Sequence, residues 1–209
     1  MSAGHESVTD TSYAGLRGGF RGVGAVADEG DVVAGTEAVL AKLSSPRQVD
    51  AVKAHSSTGA FWFFGTASAG FDALCNQRAN QLSWPKGQRR YEVAMVLELA
   101  KFKPIHYEAT IDGEHRSFDA MLCAVANGPA FGGGMMIAPD AKVDDGFIDL
   151  FIVHAMSRLE LLKVFPKVYS GSHVSHPAVE FIRAKSVKLS SGNMPVYSDG
   201  EARGHSSLS

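Results

Sequence analysis

The stretch that decides the fold is residues 127–150, NGPAFGGGMMIAPDAKVDDGFIDL. Glycines 132–134 can adopt positive φ or let another chain approach the backbone closely, and Pro139 lacks a backbone donor. Residues 144–146, Asp-Asp-Gly, are a turn signal, and the apolar run that begins at Phe147 predicts a buried strand. A loop of this length without periodicity is typical of a functional segment. The stretch therefore predicts a functional loop between two strands, with an acidic turn at its exit.

Strands are predicted on both sides of this loop. Apolar and polar residues alternate over 105–111, which predicts a half-buried strand. Asp112-Gly113 predicts a hairpin turn that leads into a returning strand over about 118–126. Further strands are predicted at 47–54 (an edge strand), 60–65, 186–190 and 195–198.

Helices are predicted at three places, residues 31–44, 88–102 and 158–169, and a turn at residues 69–73. In the second helix Val93, Val96, Leu97 and Ala100 form the face predicted to meet the core. The third helix begins with the capping box Ser157-x-x-Glu160, and Pro166 should kink it or end its regular part. Four basic residues bracket the second helix: Arg89, Arg90, Lys101 and Lys103. They suit either a solvated face or attraction to anionic lipid.

These elements indicate a mainly β fold with some α, an antiparallel β-sandwich-like domain with attached helices. Residues 1–30 have no sustained period and are predicted to be a poorly ordered leader. The domain is expected over 31–201, followed by a tail over 202–209.

Composition excludes several classes of protein. The 209 residues carry a net charge of −2, 45% hydrophobic and 20% charged residues, which fits a globular protein and gives no footprint for nucleic acid. No apolar run suits a spanning helix, and no signal peptide is recognised. Cys75 and Cys123 lack metal spacing and indicate a reducing cytoplasm. His173 and His176 lack further ligands and are predicted to be surface histidines.

Two acidic motifs remain as candidates for chemistry. Asp145 beside a tight turn suits a hard cation such as Mg²⁺, completed by water, but it equally suits an ordinary turn. Asp199-Gly200-Glu201 repeats the tripeptide at residues 112–114, so the tripeptide alone is uninformative. The first copy is explained by a hairpin, whereas the second lies near the end of the chain.

The string NG-x-x-x-GGGM-x-IAP-x-AK-x-DDG-x-IDL resembles the C-terminal domain of the bacterial diacylglycerol kinase family, the soluble lipid kinases related to YegS. The resemblance runs over about 31–201 and implies the β-sandwich of the diacylglycerol kinase/NAD kinase-like superfamily. It also implies ATP-dependent phosphorylation of diacylglycerol to phosphatidic acid. A structural Mg²⁺ is implied at Lys142 (carbonyl), Asp145 (carboxylate) and Phe147 (carbonyl). Glu201 is implied as the acceptor of the lipid hydroxyl proton, with Asp199 supporting the metal and water network.

The sequence departs from this family where the nucleotide half should be, because neither its GGDGT motif nor its GTxND segment occurs. We therefore expect a chain that supplies the lipid-side domain, the base and the structural cation, and that is weakly active or inactive alone. Its expected partners are diacylglycerol or a similar lipid, the inner face of the membrane, and a second copy through uncovered apolar surface. Two alternatives stay open: a non-catalytic lipid-binding or regulatory remnant, and a kinase for another lipid alcohol, such as a sphingoid base or phosphatidylglycerol.

Overall fold

A computed structural model describes residues 4–8, 48–84, 88–99, 101–130 and 134–208. These ranges contain ten strands: β1 (Gly4–Val8), β2 (Val49–Ser56), β3 (Gly59–Phe63), β4 (Thr66–Gly70), β5 (Ile105–Ile111), β6 (Glu114–Ala126), β7 (Ile148–His154), β8 (Val179–Ala184), β9 (Val187–Ser198) and β10 (Glu201–Leu208). They also contain three α-helices: α1 (Phe71–Gln81), α2 (Gln88–Leu99) and α3 (Arg158–Val164). Two 3₁₀ helices follow α3, at Phe165–Tyr169 and Ser172–Ser175.

The strands form two antiparallel sheets. The smaller sheet has the order β1-β2-β3, and the larger has the order β10-β9-β4-β6-β7-β8, with β5 paired to both β6 and β9. Residues such as Val52 and Phe63 from the small sheet pack with Val125, Leu150 and Ile152 from the large one. This core between two sheets is the β-sandwich that the sequence predicts.

A second core lies on the other face of the large sheet. Because successive strand residues point to opposite faces, Ala124 and Phe151 face away from the sandwich core. The three α-helices and residues 134–147 of the loop cover them, with Met95, Leu99 and Leu161 among the buried contacts. None of the described helices has the length and apolar character needed to span a bilayer. The molecule therefore has a helical layer over one sheet of the sandwich.

Several local predictions are confirmed. Strands β5 and β6 pair in register from Ile105 opposite Ala120 to Ile111 opposite Glu114. Asp112 and Gly113 form the turn between them, each with positive φ. At the start of α3, the Ser157 side chain accepts a hydrogen bond from the Glu160 N–H, as the capping box requires.

The turn predicted at residues 69–73 is wrong, because β4 passes there directly into α1. Gly70 makes this junction, with φ at 135°. A side chain there would collide with the Tyr107 hydroxyl and the Leu122 backbone. The glycine is thus required by close approach of strands rather than by a turn. The strand predicted at an edge, β2, instead lies between β1 and β3.

Helix α2 is present, but its predicted inner face is wrong. Ala94, Met95 and Leu99 are buried, whereas Val93, Val96 and Leu97 are exposed. Both faces of this helix are apolar, so contacts with the rest of the fold decide which one is buried. Ala100 lies outside the described residues.

The last strands of the chain and its N-terminal segment also differ from the prediction. Residues 187–198 form one continuous strand rather than two, and β8 precedes it without having been predicted. Most of the expected tail belongs to β10, which pairs with β9 as an edge strand. Within the expected leader, Gly4–Val8 pair with β2; the rest of the leader and the helix predicted over 31–44 lie outside the described residues.

Candidate functional site

An apolar cavity separates the large sheet from the helical layer, with about 560 Å³ of empty space including its opening to solvent. Its floor is formed by Leu122 and Ala124 of β6 and by Phe151 and Val153 of β7. Both β6 and β7 are covered by protein on both faces, so their residues on the cavity side are apolar as well.

The roof and wall of this cavity come from elements that the sequence places far apart. Tyr91 of α2 and Leu161 and Val164 of α3 form the roof. Met135 and Ile137, from the loop that decides the fold, line the cavity as well. The loop therefore closes an apolar chamber rather than standing free in solvent.

One carboxyl group opens into this chamber. Asp72 lies in the first turn of α1 and is 9% exposed. Burial raises its pKa from 3.8 to about 6, because a low-dielectric environment disfavours the charged form. Among the described residues its Oδ1 atom has no hydrogen-bond partner. Asp72 is thus a polar anchor that sequence reasoning missed, since residues 69–73 read as a turn.

His173 is the second polar group at the cavity, and the prediction of a surface histidine is wrong. It is fully buried and packs edge-on against Phe151. Its Nε2–H donates to the Ile137 carbonyl over 3.0 Å, and burial lowers its pKa, which keeps the ring neutral. Its Nδ1 has no partner in the described part of the chain. His173 therefore holds the central loop and leaves a neutral acceptor at the cavity.

The predicted metal ligand Asp145 is already in contact with a cationic side chain. Its Oδ2 accepts from Arg183 over 2.6 Å, and its Oδ1 accepts from the Phe147 N–H over 3.1 Å. The Arg183 guanidinium also stacks on the Phe147 ring at 4.3 Å. No group of three or more His, Cys, Asp or Glu side chains suited to a metal occurs in the described ranges. Any metal there would rely on backbone carbonyls, such as those of Lys142 and Phe147.

The charge around Asp145 nevertheless suits a cation. Burial raises the pKa of Asp149, and the neighbouring carboxylates of Asp145 and Asp140 raise it further, while Arg183 lowers it. Three acidic groups therefore share this corner. A divalent cation bound to the Asp145 carboxylate would have to displace Arg183 from it.

The predicted Asp199 anchors the backbone. It adopts a left-handed conformation with φ at 49°. Its carboxylate accepts hydrogen bonds from the N–H groups of Phe64, Gly65 and Thr66 at 3.0, 3.1 and 3.0 Å. Charge-assisted bonds of this kind are strong. Asp199 thus fixes the β9–β10 turn against the β3–β4 connection.

The predicted base Glu201 follows at the start of β10, and its side chain is 70% exposed. It accepts from Arg203 over 2.7 Å. It does not line the apolar cavity. The structure therefore places Glu201 at the surface, one residue beyond the turn that Asp199 fixes.

Hydrogen bonds connect the two acidic motifs. The Asn127 Nδ2 group donates to the carbonyls of Phe64 and Asp50, at 2.8 and 2.9 Å. The Asp50 carboxylate in turn accepts from the Gly146 N–H over 2.7 Å. Because Phe64 also donates to Asp199, a continuous network joins the Asp-Asp-Gly turn to the Asp-Gly-Glu turn. Asn127 is the first residue of the stretch 127–150, but the sequence alone predicts no role for it.

Comparison with known proteins identifies one family. The sequence profile of the YegS C-terminal NAD kinase beta sandwich-like domain matches residues 65–209. The chain is 38% identical to a diacylglycerol kinase of Mycobacterium tuberculosis (strain CDC 1551 / Oshkosh) over 141 residues, 67% of this chain and 46% of the relative. It is 29% identical to a probable lipid kinase YegS-like of Chromohalobacter salexigens over 158 residues, 75% of this chain and 50% of the relative. The chain thus spans about half the length of the curated relatives it matches.

The fold has a counterpart among solved structures. A crystal structure of a Bacillus anthracis str. Sterne protein superposes with a TM-score of 0.61 at 20% identity. The match covers 86% of this chain and 59% of that protein. At this identity the likeness supports the fold.

Proposed function

Because the chain belongs to the family of the YegS C-terminal NAD kinase beta sandwich-like domain, we propose that it is the lipid-binding half of a diacylglycerol kinase. The reaction is ATP-dependent phosphorylation of diacylglycerol to phosphatidic acid at the inner membrane face. The two buried free cysteines, Cys75 and Cys123, are compatible with a reducing cytoplasm.

The apolar cavity carries this proposal. Its floor and roof are built from aliphatic and aromatic side chains, whose chemistry matches that of an acyl chain. Asp72 supplies one polar group at its wall, and its raised pKa makes it a hydrogen-bond donor below about pH 6. A glycerol ester oxygen is a suitable acceptor for that proton.

In the transfer step we assign Glu201 as the proton acceptor. The lipid hydroxyl oxygen forms a bond to the γ-phosphorus of ATP while its proton passes to the Glu201 carboxylate, and the bond from that phosphorus to the ADP oxygen breaks. Glu201 is exposed and accepts a hydrogen bond from Arg203, so a nucleotide can reach it from solvent. Asp199 positions Glu201 through its three backbone hydrogen bonds.

We further assign a structural Mg²⁺ to the Asp145 carboxylate and the carbonyls of Lys142 and Phe147, in exchange for the contact between Asp145 and Arg183. Such an ion would neutralise the acidic corner around Asp149. Through Gly146, Asp50 and Asn127, this corner is connected to the turn that carries Glu201.

Equilibrium binding of a short-chain diacylglycerol to the 209-residue chain tests the proposal. We expect saturable binding at one site, and we expect Ala124→Phe, which fills the cavity floor, to weaken it by roughly tenfold or more. Leu162→Phe, at an exposed position of α3, is the control and should bind like the wild type. Equal binding by Ala124→Phe and wild type would contradict the assignment of the cavity.

The buried carboxyl also favours a second candidate, a long-chain amino alcohol. An ammonium group beside Asp72 would stabilise its carboxylate and lower its pKa. A sphingoid base should then bind more tightly than diacylglycerol at pH 7, and Asp72→Asn should reverse that preference. If the chain binds diacylglycerol and no transfer occurs when the nucleotide half is restored, the non-catalytic alternative holds.

A further inference from the structure

The start of β10 carries an ion pair between two side chains of the same strand, Glu201 and Arg203. The Arg203 Nη2 group donates to the Glu201 Oε2 atom over 2.7 Å. The two partners are unequally exposed, since the Glu201 side chain is 70% exposed and the Arg203 side chain 29%. The guanidinium is therefore the inner member of the pair, and the carboxylate reaches further into solvent.

Contacts with the β2–β3 hairpin hold Arg203 in this position. Its guanidinium lies over the Phe61 ring of β3, with Cζ 5.1 Å from the ring centroid. Its carbonyl accepts a hydrogen bond from the Thr58 hydroxyl over 3.2 Å. The next residue, Gly204, has φ at 87°, and a side chain there would collide with Thr58. The pairing of β10 with β9 shifts register at this point, and such irregularities re-aim the side chains of a strand.

The ion pair leaves part of the guanidinium unused. Its Nε–H group is buried and has no hydrogen-bond partner in the described part of the chain. An unpaired buried donor is unfavourable. A guanidinium carries five N–H groups in a planar fork that fits two oxygens of one phosphate group. A phosphate bound at Nε and Nη2, with the guanidinium turned towards solvent, would supply the missing partner in exchange for the single bond to Glu201.

Distance and charge place such a phosphate beside the proposed base. In the proposed function the lipid hydroxyl lies within hydrogen-bond distance of Glu201, so the phosphorus that it attacks lies one bond further away. The Arg203 Nη2 atom, 2.7 Å from the Glu201 carboxylate, is within reach of the oxygens on that phosphorus. The carboxylates of Asp199 and Glu201 at the same turn repel a phosphate, and the Arg203 guanidinium opposes that repulsion.

We propose that Arg203 is a further catalytic residue, which leaves Glu201 and binds the γ-phosphate oxygens of a nucleoside triphosphate. This inference rests on the proposed function. The hydroxyl oxygen bonds to the γ-phosphorus, its proton passes to Glu201, and the bond from that phosphorus to the ADP oxygen breaks. The guanidinium keeps its protons throughout and offsets the negative charge on the transferred group. Because Arg203 leaves Glu201 when the phosphate binds, the arrival of the nucleotide also uncovers the base.

The first test is nuclear magnetic resonance of the 209-residue chain with inorganic tripolyphosphate, which has a terminal phosphate without a nucleoside. We expect the Nε–H signal of Arg203 to shift in a saturable way, whereas that of Arg116, which is paired with Glu180, should stay in place. Glu201→Gln should strengthen the binding several-fold, because its carboxylate no longer competes for the guanidinium or repels the phosphate. An Arg203 signal that does not move, or equal affinities for Glu201→Gln and wild type, would overturn the proposal.

The second test is kinetic and uses the chain fused to the half of the Mycobacterium tuberculosis diacylglycerol kinase that it does not match. Arg203→Gln should raise the KM for ATP and lower kcat, each by about tenfold or more. Arg203→Lys keeps the charge without the planar fork and should recover part of the loss. Arg116→Gln is the matched control and should behave like the wild type.

Circular dichroism melting of each variant verifies that it is folded. Kinetics of Arg203→Gln equal to those of wild type overturn the proposal, as does an Arg203→Lys variant that is no more active than Arg203→Gln. The two tests also separate this inference from the proposed function. A fusion that does not phosphorylate diacylglycerol, although Arg203 of the 209-residue chain binds tripolyphosphate, contradicts the proposed function and supports the phosphate site.

Discussion

Arg183 donates from Nη2 to the Asp145 Oδ2 atom over 2.6 Å, at the atom where the family resemblance implies a magnesium ligand. The chain thus supplies its own cation at the acidic corner. The proposed divalent ion and this guanidinium would compete for the same carboxylate. The balance between them is measurable.

Replacing Arg183 by Gln should increase the apparent affinity for Mg²⁺ several-fold, because the ion no longer displaces a guanidinium from Asp145. The measurement is the rise in melting temperature across a magnesium titration. Asp145→Asn should abolish that rise. The control Arg116→Gln breaks a comparable ion pair, with Glu180, and should leave the magnesium response unchanged. An Arg183→Gln response equal to wild type would rule out competition at this oxygen.

Asn127 should matter more for stability than its size suggests. Its amide donates to two backbone carbonyls, and the residue is 1% exposed. Asn127→Ala leaves those carbonyls without their donor, so we expect a loss of about 2–4 kcal/mol in the free energy of unfolding. Urea denaturation measures it. Asn193→Ala, on an exposed part of β9, should change stability by less than about 0.5 kcal/mol; a loss at Asn127 no larger than this would refute the network.

The pH dependence of stability should contain a contribution from Asp72. Its pKa is raised to about 6 in the folded state, so the unfolded chain ionises first. Stability from this group is therefore present below about pH 4 and falls as pH rises to about 6, by about 3 kcal/mol. Asp72→Asn should remove this fall in denaturation experiments from pH 4 to 8, whereas Glu114→Gln, at an exposed site, should retain it. If the stability of Asp72→Asn and of wild type changed in parallel with pH, ionisation of the buried Asp72 carboxyl would not be the cause of the fall.

The role of Glu201 as proton acceptor can be tested against a control in the same tripeptide, because Asp-Gly-Glu occurs twice in the chain. For this test the chain is fused to the half of the Mycobacterium tuberculosis diacylglycerol kinase that it does not match, which is to supply the nucleotide site. Glu201→Gln should lower kcat by about 100-fold or more, because the proton acceptor is lost. Glu114→Gln changes the same tripeptide at the β5–β6 hairpin and should leave kcat within about twofold. Equal kcat values for the two variants would remove Glu201 from the mechanism.

Local patterns predicted much of the sandwich. The alternation of β5 and the Asp112-Gly113 turn needed no information from distant residues, and the Ser157 capping box specified the start of α3. Prediction failed where the two faces of an element were alike. Helix α2 carries apolar residues on two faces, and packing of Met95 and Leu99 in the second core decides which face is buried.

The candidate site was harder to predict, because its contacts join residues distant in the sequence. Asp72 lines the same cavity as Phe151 and Leu161 only because the helical layer packs on the large sheet. Asn127 bonds to Asp50 across 77 positions. Gly70 was read as part of a turn because its real constraint, the approach of Tyr107 and Leu122, lies outside its own segment. The motifs drew attention to Asp199 and Glu201, but the contacts of these two residues could be described only once the fold was known.

Photo-crosslinking tests most directly whether the cavity takes an acyl chain. A diacylglycerol with a diazirine near the end of one acyl chain is bound to the 209-residue chain, irradiated, and the labelled peptides are mapped by mass spectrometry. We predict labelling on the strands and helices that line the cavity, at positions such as Leu122, Phe151 and Val164, and its loss in Ala124→Phe. Labelling confined to exposed residues such as Trp84 or Leu159, with none in the cavity, would contradict the account.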